Sequence, residues 1–269
     1  MKIGYLGPIG SYSYVAARAY DPNADFIAFR TFYEIIKSVE SGVINKGILP
    51  IENSTEGAVT SVMDGLLNTQ RSTIVGEIVI PISHNIISLE ESMKNIHHIY
   101  SHIQAIEQCR DYFKTHYPSI LFTSCTSTSS ACIKAKDKGI GYAAIGNTES
   151  ADLYGLNIIK ENIQDNILNQ TRFIIIGEGK ENLGKKTKTS IAFSCLDDRP
   201  GLLYGVLREF ADRDINLTRI ESRPAKSEMG KYIFYIDFIG RKDEEIIEAI
   251  LLHIKTTTDM LKVFGSYNY

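Results

Sequence analysis

Apolar positions recur along the chain in two alternating rhythms. Short apolar runs of strand length alternate with stretches in which apolar residues return every three or four positions, the mark of an amphipathic helix. Lys2–Leu6 reads as a strand, followed by a helix from about Ser11 to Tyr20. Phe26–Phe29 is a second strand, and Thr31 caps a helix whose apolar residues Phe32, Ile35, Ile36 and Val39 fall at helical spacing. Lys46–Pro50 is a third strand and Gly57–Leu67 a third helix. A strand-rich run from Thr73 to Leu89 interrupts this order. The alternation then resumes with strand His98–Ser101, helix Ile103–Thr115 and strand Ile120–Phe122. Helix Ser127–Lys138, strand Gly141–Ala144 and helix Asn147–Tyr154 complete it. Such a pattern predicts a largely parallel sheet with helices on both faces. Two α/β lobes joined by a crossover would enclose a cleft, where ligands of open sheets bind.

Beyond Gly177 the rhythm changes. Gly177–Lys188 is rich in glycine and charge and suits an exposed linker. Thr189–Leu196, Asn216–Ser222, Lys231–Phe238 and Met260–Phe264 then read as strands, with helices at Gly201–Ala211 and Glu244–Lys255. The order βαββαβ is a ferredoxin-like plan, long enough to bury a core of its own.

Composition narrows the class. With 269 residues, 43% hydrophobic and 23% charged, the chain reads as an ordinary globular protein of two domains. A net charge of −3 argues against a nucleic-acid partner, which calls for a basic face. Apolar runs such as Phe173–Ile176 are strand-length, far from the roughly 20 residues a membrane span needs. The start, Met1–Pro8, reads as strand and turn and not as a signal peptide, so a cytoplasmic protein is the expectation. Cys109, Cys125, Cys132 and Cys195 include no C-x-x-C pair and fit neither a disulfide framework nor a common zinc site. His98 and His102 would share a helical face, but their surroundings read as a strand. We expect no metal and no cofactor.

Several polar segments fall where strands give way to helices. Gly7-Pro8-Ile9-Gly10-Ser11-Tyr12-Ser13 combines glycines, which let backbone approach a ligand, with the unpaired N–H groups of a helix start; it also reads as a plain turn with a serine cap. Pro50-Ile51-Glu52-Asn53-Ser54-Thr55-Glu56-Gly57 follows the third strand. Asn53 could bind a carboxylate or a hydroxyl there, while Ser54 or Thr55 could cap a helix with Glu56 in its first turn. Ser101-His102-Ile103-Gln104, with Glu107-Gln108-Cys109, marks another junction. Thr126-Ser127-Thr128-Ser129-Ser130-Ala131 is a hydroxyl-rich helix start, suited to an anion or simply to capping. Thr171-Arg172-Phe173 opens an apolar strand, and an arginine there needs an anionic partner, either a ligand or a structural acid. No Ser-His-Asp order, dinucleotide fingerprint or Walker-type motif is present.

Taken together, these segments resemble the prephenate dehydratase family across nearly the whole chain. The carrying motifs run in family order from Gly7–Ser13 through Leu49–Gly57, Ser101–Ala105, Ser127–Ala131 and Ile163-Gln164-Asp165 with Asn169 to Thr171-Arg172-Phe173. Gly201-Leu202-Leu203-Tyr204 and Glu221-Ser222-Arg223-Pro224 resemble the motifs of the family's C-terminal regulatory domain, of the ACT type. Departures are mild: Ser11 stands where threonine is common, Ser129 and Ser130 replace small apolar residues, and Leu202 replaces an alanine. No mutase-like helical segment precedes, so a monofunctional enzyme is expected.

The resemblance implies a two-lobed, periplasmic-binding-protein-like catalytic domain over residues 1–180, with lobes of about 1–76 plus 168–180 and 77–167. A ferredoxin-like ACT domain would span 187–269. It also implies decarboxylative dehydration of prephenate to phenylpyruvate, water and CO2 in L-phenylalanine biosynthesis. Thr171, Arg172, Asn53, Ser101 and Gln108 would be catalytic, with Thr171 touching the leaving hydroxyl. Ser11, Tyr12, Ser13, Ser54, Ser127, Thr128 and Phe173 would bind substrate. L-Phenylalanine would bind as effector at Gly201, Leu202, Leu203, Asn216, Glu221 and Ser222, between two such domains in a homodimer or homotetramer. Two other readings remain at this point: an arogenate dehydratase of the same fold and chemistry, and a sensor that binds an amino or keto acid without turning it over.

Overall fold

The structure, a computed structural model, describes residues 1–179, 183–195, 200–225 and 231–269. In chain order its elements begin with β1 (Lys2–Leu6), α1 (Tyr12–Tyr20), β2 (Asp25–Phe29), α2 (Phe32–Glu40), β3 (Lys46–Asn53), β4 (Gly57–Ala58), α3 (Thr60–Leu67), β5 (Thr73–Pro81) and β6 (Asn85–Ser88). They continue with β7 (His98–His102), α4 (Ile103–Glu107), α5 (Arg110–His116), β8 (Leu121–Cys125), α6 (Thr128–Lys138), β9 (Tyr142–Gly146), α7 (Thr148–Tyr154), β10 (Asn157–Lys160) and β11 (Gln170–Gly177). The last six are β12 (Thr187–Cys195), α8 (Leu202–Ala211), β13 (Leu217–Pro224), β14 (Tyr232–Ile239), α9 (Glu245–Thr257) and β15 (Met260–Asn268). The chain forms two compact units. One comprises Met1–Ile35, Gly47–Val59 and Val79–Phe173, the other Ile36–Lys46, Thr60–Ile78 and Ile174–Tyr269.

In the first unit a five-stranded sheet has the order β10-β6-β9-β7-β8. Period-two alternation explains why its strands read as unbroken apolar runs. Ile86, Ile99, Ala143 and Ile145 pack on one face against Ala105, Cys109 and Phe113. Their neighbours Ile87, Tyr100 and Ala144 pack on the other against Ala131, Cys132, Ala135 and Ala151. Both faces are therefore apolar and both are covered by helices. The expectation of a largely parallel sheet holds only in part. β7 runs parallel to β8 and β9, but β6 is antiparallel to β9, and β10, which the apolar pattern missed, is antiparallel to β6. Strand direction depends on where the chain enters the sheet, which apolar spacing does not encode. Elsewhere in this unit β1 pairs parallel with β2.

Two predicted helices change shape for reasons that bear on the site. The third strand does not end at Pro50. It runs to Asn53 and turns into β4, pairing Asn53 with Gly57 and Glu52 with Ala58, so the helix starts only at Thr60. The turn is closed by Asn53, whose side-chain Oδ1 accepts from the N–H groups of Thr55 and Glu56 at 2.9 and 3.0 Å. This replaces the expected cap by Ser54 or Thr55. The predicted helix Ile103–Thr115 breaks at Gln108–Cys109. A distant carboxylate, Asp165, accepts from the N–H groups of Asp111 and Tyr112 at the start of α5, where an anion is favoured.

The second unit contains the predicted βαββαβ order. Its strands are arranged β13-β14-β12-β15-β5, with β12, β13, β14 and β15 paired antiparallel and β15 meeting β5 in parallel. Ile191, Phe193, Ile236 and Phe238 pack against Val206 and Phe210 of α8 and Ile247, Ile250 and Ile254 of α9. Of the predicted linker Gly177–Lys188, residues 180–182 lie outside the described residues, and Thr187 and Lys188 belong to β12. Leu196, the predicted end of that strand, also lies outside them.

Candidate functional site

The β3–β4 hairpin and the start of β11 bring together polar side chains far apart in sequence, all in the first unit. Because two main-chain N–H groups fix Asn53 Oδ1, its Nδ2 must face away from the turn. It donates to Asn169 Oδ1 and to Thr171 Oγ1, each at 2.9 Å, with Gln170 O at 3.2 Å. Asn169 Nδ2 in turn donates to Gln108 Oε1 at 3.0 Å, and Gln108 Nε2 donates to Glu56 Oε1 at 3.1 Å. Ser54 ties the hairpin to β11: its N–H donates to Gln170 O at 2.9 Å and its Oγ accepts from Gln170 N at 3.0 Å. Thr171 is only 9% exposed. Its oxygen accepts from Asn53, and among the described residues no acceptor is seen for its own hydroxyl hydrogen.

The break between α4 and α5 places Gln108. It caps α4, and its main-chain carbonyl accepts from the N–H of Asp165 at 2.8 Å. Its Oε1 also lies 2.8 Å from Nε2 of His84, a residue the apolar pattern gave no reason to single out. Burial pulls the His84 imidazole below its ordinary pKa, against a smaller opposing effect of Gln108. The Tyr12 ring meets His84 edge-on with centroids 6.3 Å apart, and the Tyr12 hydroxyl donates to Ser83 O.

The other candidates are placed differently. Ser11 is the N-cap of α1, accepting from Tyr14 N at 3.3 Å and donating to Leu6 O at 2.9 Å. The neighbouring Gly10, at φ +83°, presents its carbonyl to Asn147 Nδ2 and Ser150 Oγ, both at 2.9 Å. A side chain at Gly10 would meet Ser150 Oγ at 3.0 Å, so the turn requires glycine. Ser13 is buried. Ser127 caps α6 and forms a reciprocal box with Ser130, while Thr128 is the first residue of that helix. Ser101 is fully buried and donates to Ile145 O at 2.9 Å, so it joins β7 to β9 and does not enter the network. Phe173 is a core residue, 2% exposed. Arg172 lies 3.4 Å from Glu52, an ion pair whose arginine side chain is only 11% exposed.

In the second unit Gly201, at φ +88°, precedes α8, with no side-chain cap among the described residues, followed by Leu202 and Leu203. Glu221 and Ser222 lie on β13, opposite Tyr235 and Phe234 of β14. The exposed Asn216 precedes β13, and its carbonyl accepts from Ile239 N at 3.0 Å. Among the described residues no group of three His, Cys, Asp or Glu side chains is arranged to hold a metal, and no helix is long and apolar enough to cross a membrane.

The sequence matches the family described as Prephenate dehydratase over residues 3–181, and the ACT domain over residues 189–252. It is 39% identical over 272 residues to a prephenate dehydratase of Methanocaldococcus jannaschii, covering 98% of this chain and 96% of that protein. A crystal structure of the prephenate dehydratase from Staphylococcus aureus subsp. aureus Mu50 aligns with a TM-score of 0.86 and 32% identity, covering all of both chains. A prephenate dehydratase from Arthrobacter aurescens, solved in complex with L-Phe, aligns with a TM-score of 0.91 and 29% identity. That alignment covers 100% of this chain and 90% of the other.

Proposed function

This chain belongs to the prephenate dehydratase family and is a carbon–oxygen lyase of L-phenylalanine biosynthesis, and we propose that the network around Thr171 is where it acts on prephenate. The ring carboxylate leaves as CO2, and its bonding electrons move through the ring diene. They expel the hydroxyl at the opposite carbon, which takes up a proton and departs as water. The ring becomes aromatic, so the protein has only to hold the substrate and help that hydroxyl leave.

The observation that carries the reading is the polarity of Thr171. With Oγ1 accepting from Asn53, its hydroxyl hydrogen is available to donate to a leaving oxygen. Gln108 and Asn53 hold the polar wall, and Ser54 keeps the hairpin against β11. Arg172 and the N–H groups at the starts of α1 and α6, around Ser11–Ser13 and Ser127–Thr128, would anchor carboxylate charge. Ser101 and Phe173 support the strands that carry these groups. The catalytic domain would span residues 1–180, its lobes near 1–76 with 168–180 and 77–167, with the regulatory domain at 187–269.

L-Phenylalanine is the proposed effector. The start of α8 at Gly201–Leu203 would receive its carboxylate, and Asn216, Glu221 and Ser222 the rest of the amino acid, between two copies of this domain in a dimer or tetramer. Inhibition follows if the ligand binds more tightly to a less competent state. We place the enzyme in the cytoplasm.

Purified Thr171→Ala protein should lose on the order of 10²–10⁴-fold in kcat for phenylpyruvate formation, the usual range for one proton-handling group. Its thermal midpoint should be unchanged. Near-normal turnover by the folded variant would overturn the assignment. Assaying wild type with arogenate in parallel separates the two related substrates, and added phenylalanine reads the regulatory half.

A further inference from the structure

We propose that His84 is a positioning residue of this centre, holding the Gln108 carboxamide in one orientation through its neutral Nε2–H tautomer. The inference rests on the reading that Gln108 belongs to the catalytic wall.

The network fixes its own hydrogen positions. Main-chain N–H groups can only donate, so those of Thr55 and Glu56 force Asn53 Oδ1 toward the turn and Asn53 Nδ2 toward Asn169 Oδ1 and Thr171 Oγ1. Asn169 must then present Nδ2 to Gln108, making Gln108 Oε1 an acceptor. The other end agrees, because Gln108 Nε2 faces a carboxylate oxygen of Glu56. The atom of His84 at 2.8 Å from that same Oε1 is Nε2, which must therefore carry the proton.

The rest of the ring's surroundings fit. His84 Nδ1 is buried and, among the described residues, has no hydrogen-bond partner, so nothing described there competes for the other tautomer. The residue is 3% exposed, and burial opposes protonation of the ring. Its main-chain N–H donates to Gln164 Oε1 at 2.8 Å, and Tyr12 packs edge-on against the ring. His84 thus joins the first glycine-turn motif to the catalytic wall without itself needing to touch substrate.

The direct test is nitrogen NMR of the full-length protein carrying ring-labelled histidine. The expected signal for His84 has a protonated Nε2 and an unprotonated Nδ1 near neutral pH. A protonated Nδ1 with bare Nε2 would overturn the proposal. Two variants give the functional readout. His84→Phe should fold and lose on the order of tenfold in kcat with KM within about twofold, the scale of one misplaced hydrogen bond. His84→Gln, which restores a donor, should recover to within about threefold. A folded His84→Phe enzyme with unchanged kcat also overturns it, and if that variant fails to fold the tautomer alone decides. Failure here is distinct from failure of the site assignment: normal turnover by Thr171→Ala would remove the catalytic premise and leave the tautomer as found.

Discussion

The hairpin network and the serine-rich start of α6 look equally polar, yet they leave very different groups available. At α6 the hydroxyl of Ser127 accepts from Ser130 N and the hydroxyl of Ser130 accepts from Ser127 N, both at 3.0 Å. The pair closes on itself within one turn of helix. Ser129 is buried against Ser150. At the hairpin the bonds run between segments 116 and 118 positions apart, from Asn53 to Asn169 and Thr171. Their polarity runs one way, which leaves a hydroxyl hydrogen on Thr171 at one end. Local capping uses both sides of the Ser130 hydroxyl, which accepts from Ser127 N and donates to Ser127 O, whereas a network pinned by main-chain amides orients a hydroxyl and leaves its hydrogen available. An anion held at α6 would accordingly meet main-chain N–H groups and the Ser127 hydroxyl rather than that of Ser130, which donates to Ser127 O at 2.8 Å.

Substitutions can break or sharpen this contrast. Asn53→Asp keeps the turn acceptor but removes both donors and sets oxygen against oxygen at Asn169 and Thr171. It should cut kcat by about 100-fold or more, since each buried polar group left unpaired costs about 1–3 kcal/mol. Steady-state rates alongside a thermal melt would show it, and wild-type turnover would mean the polarity is irrelevant. Gln108→Glu retains the acceptor for Asn169 but opposes Glu56, and a loss of roughly tenfold in kcat is expected. That loss should shrink in the double variant with Glu56→Gln, which a kinetic double-mutant cycle measures. Ser127→Ala should cost about 1 kcal/mol of stability by denaturant titration, as for other N-caps, with kcat within about twofold. A large kcat loss there would move Ser127 from cap to ligand. Ser130→Ala removes the reciprocal half of the box together with the donation to Ser127 O, all within one turn. Its effect should be smaller again, a few tenths of a kcal/mol in the same titration.

How much was legible follows the same division. The βαββαβ order of the second unit could be read because each strand and helix buries one face, and burial leaves a period in the sequence. The same holds for Ile86, Ile99 and Ile145 on one face of the five-stranded sheet and Ile87, Tyr100 and Ala144 on the other. Thr171, Asn53 and Gln108 were named through family resemblance, and their spacing alone would not have joined them. Ser101 was named by the same route, and in the structure its hydroxyl donates to Ile145 O and joins β7 to β9. His84 left no mark at all, being one histidine in an apolar run.

By itself, then, the sequence determined most of the elements, the change of rhythm after Gly177 and the motifs that place the chain in its family. Those are properties of neighbouring residues, set by backbone preference and by which side of an element meets water. Tertiary structure alone decided that Asp165 would split a predicted helix and so expose Gln108, that β6 and β10 would run antiparallel, and that Asn53 would face Thr171. Each depends on strand register and on partners more than 50 positions away. A hydrogen bond forms where donor and acceptor are held within about 3 Å, and only the folded chain fixes that distance.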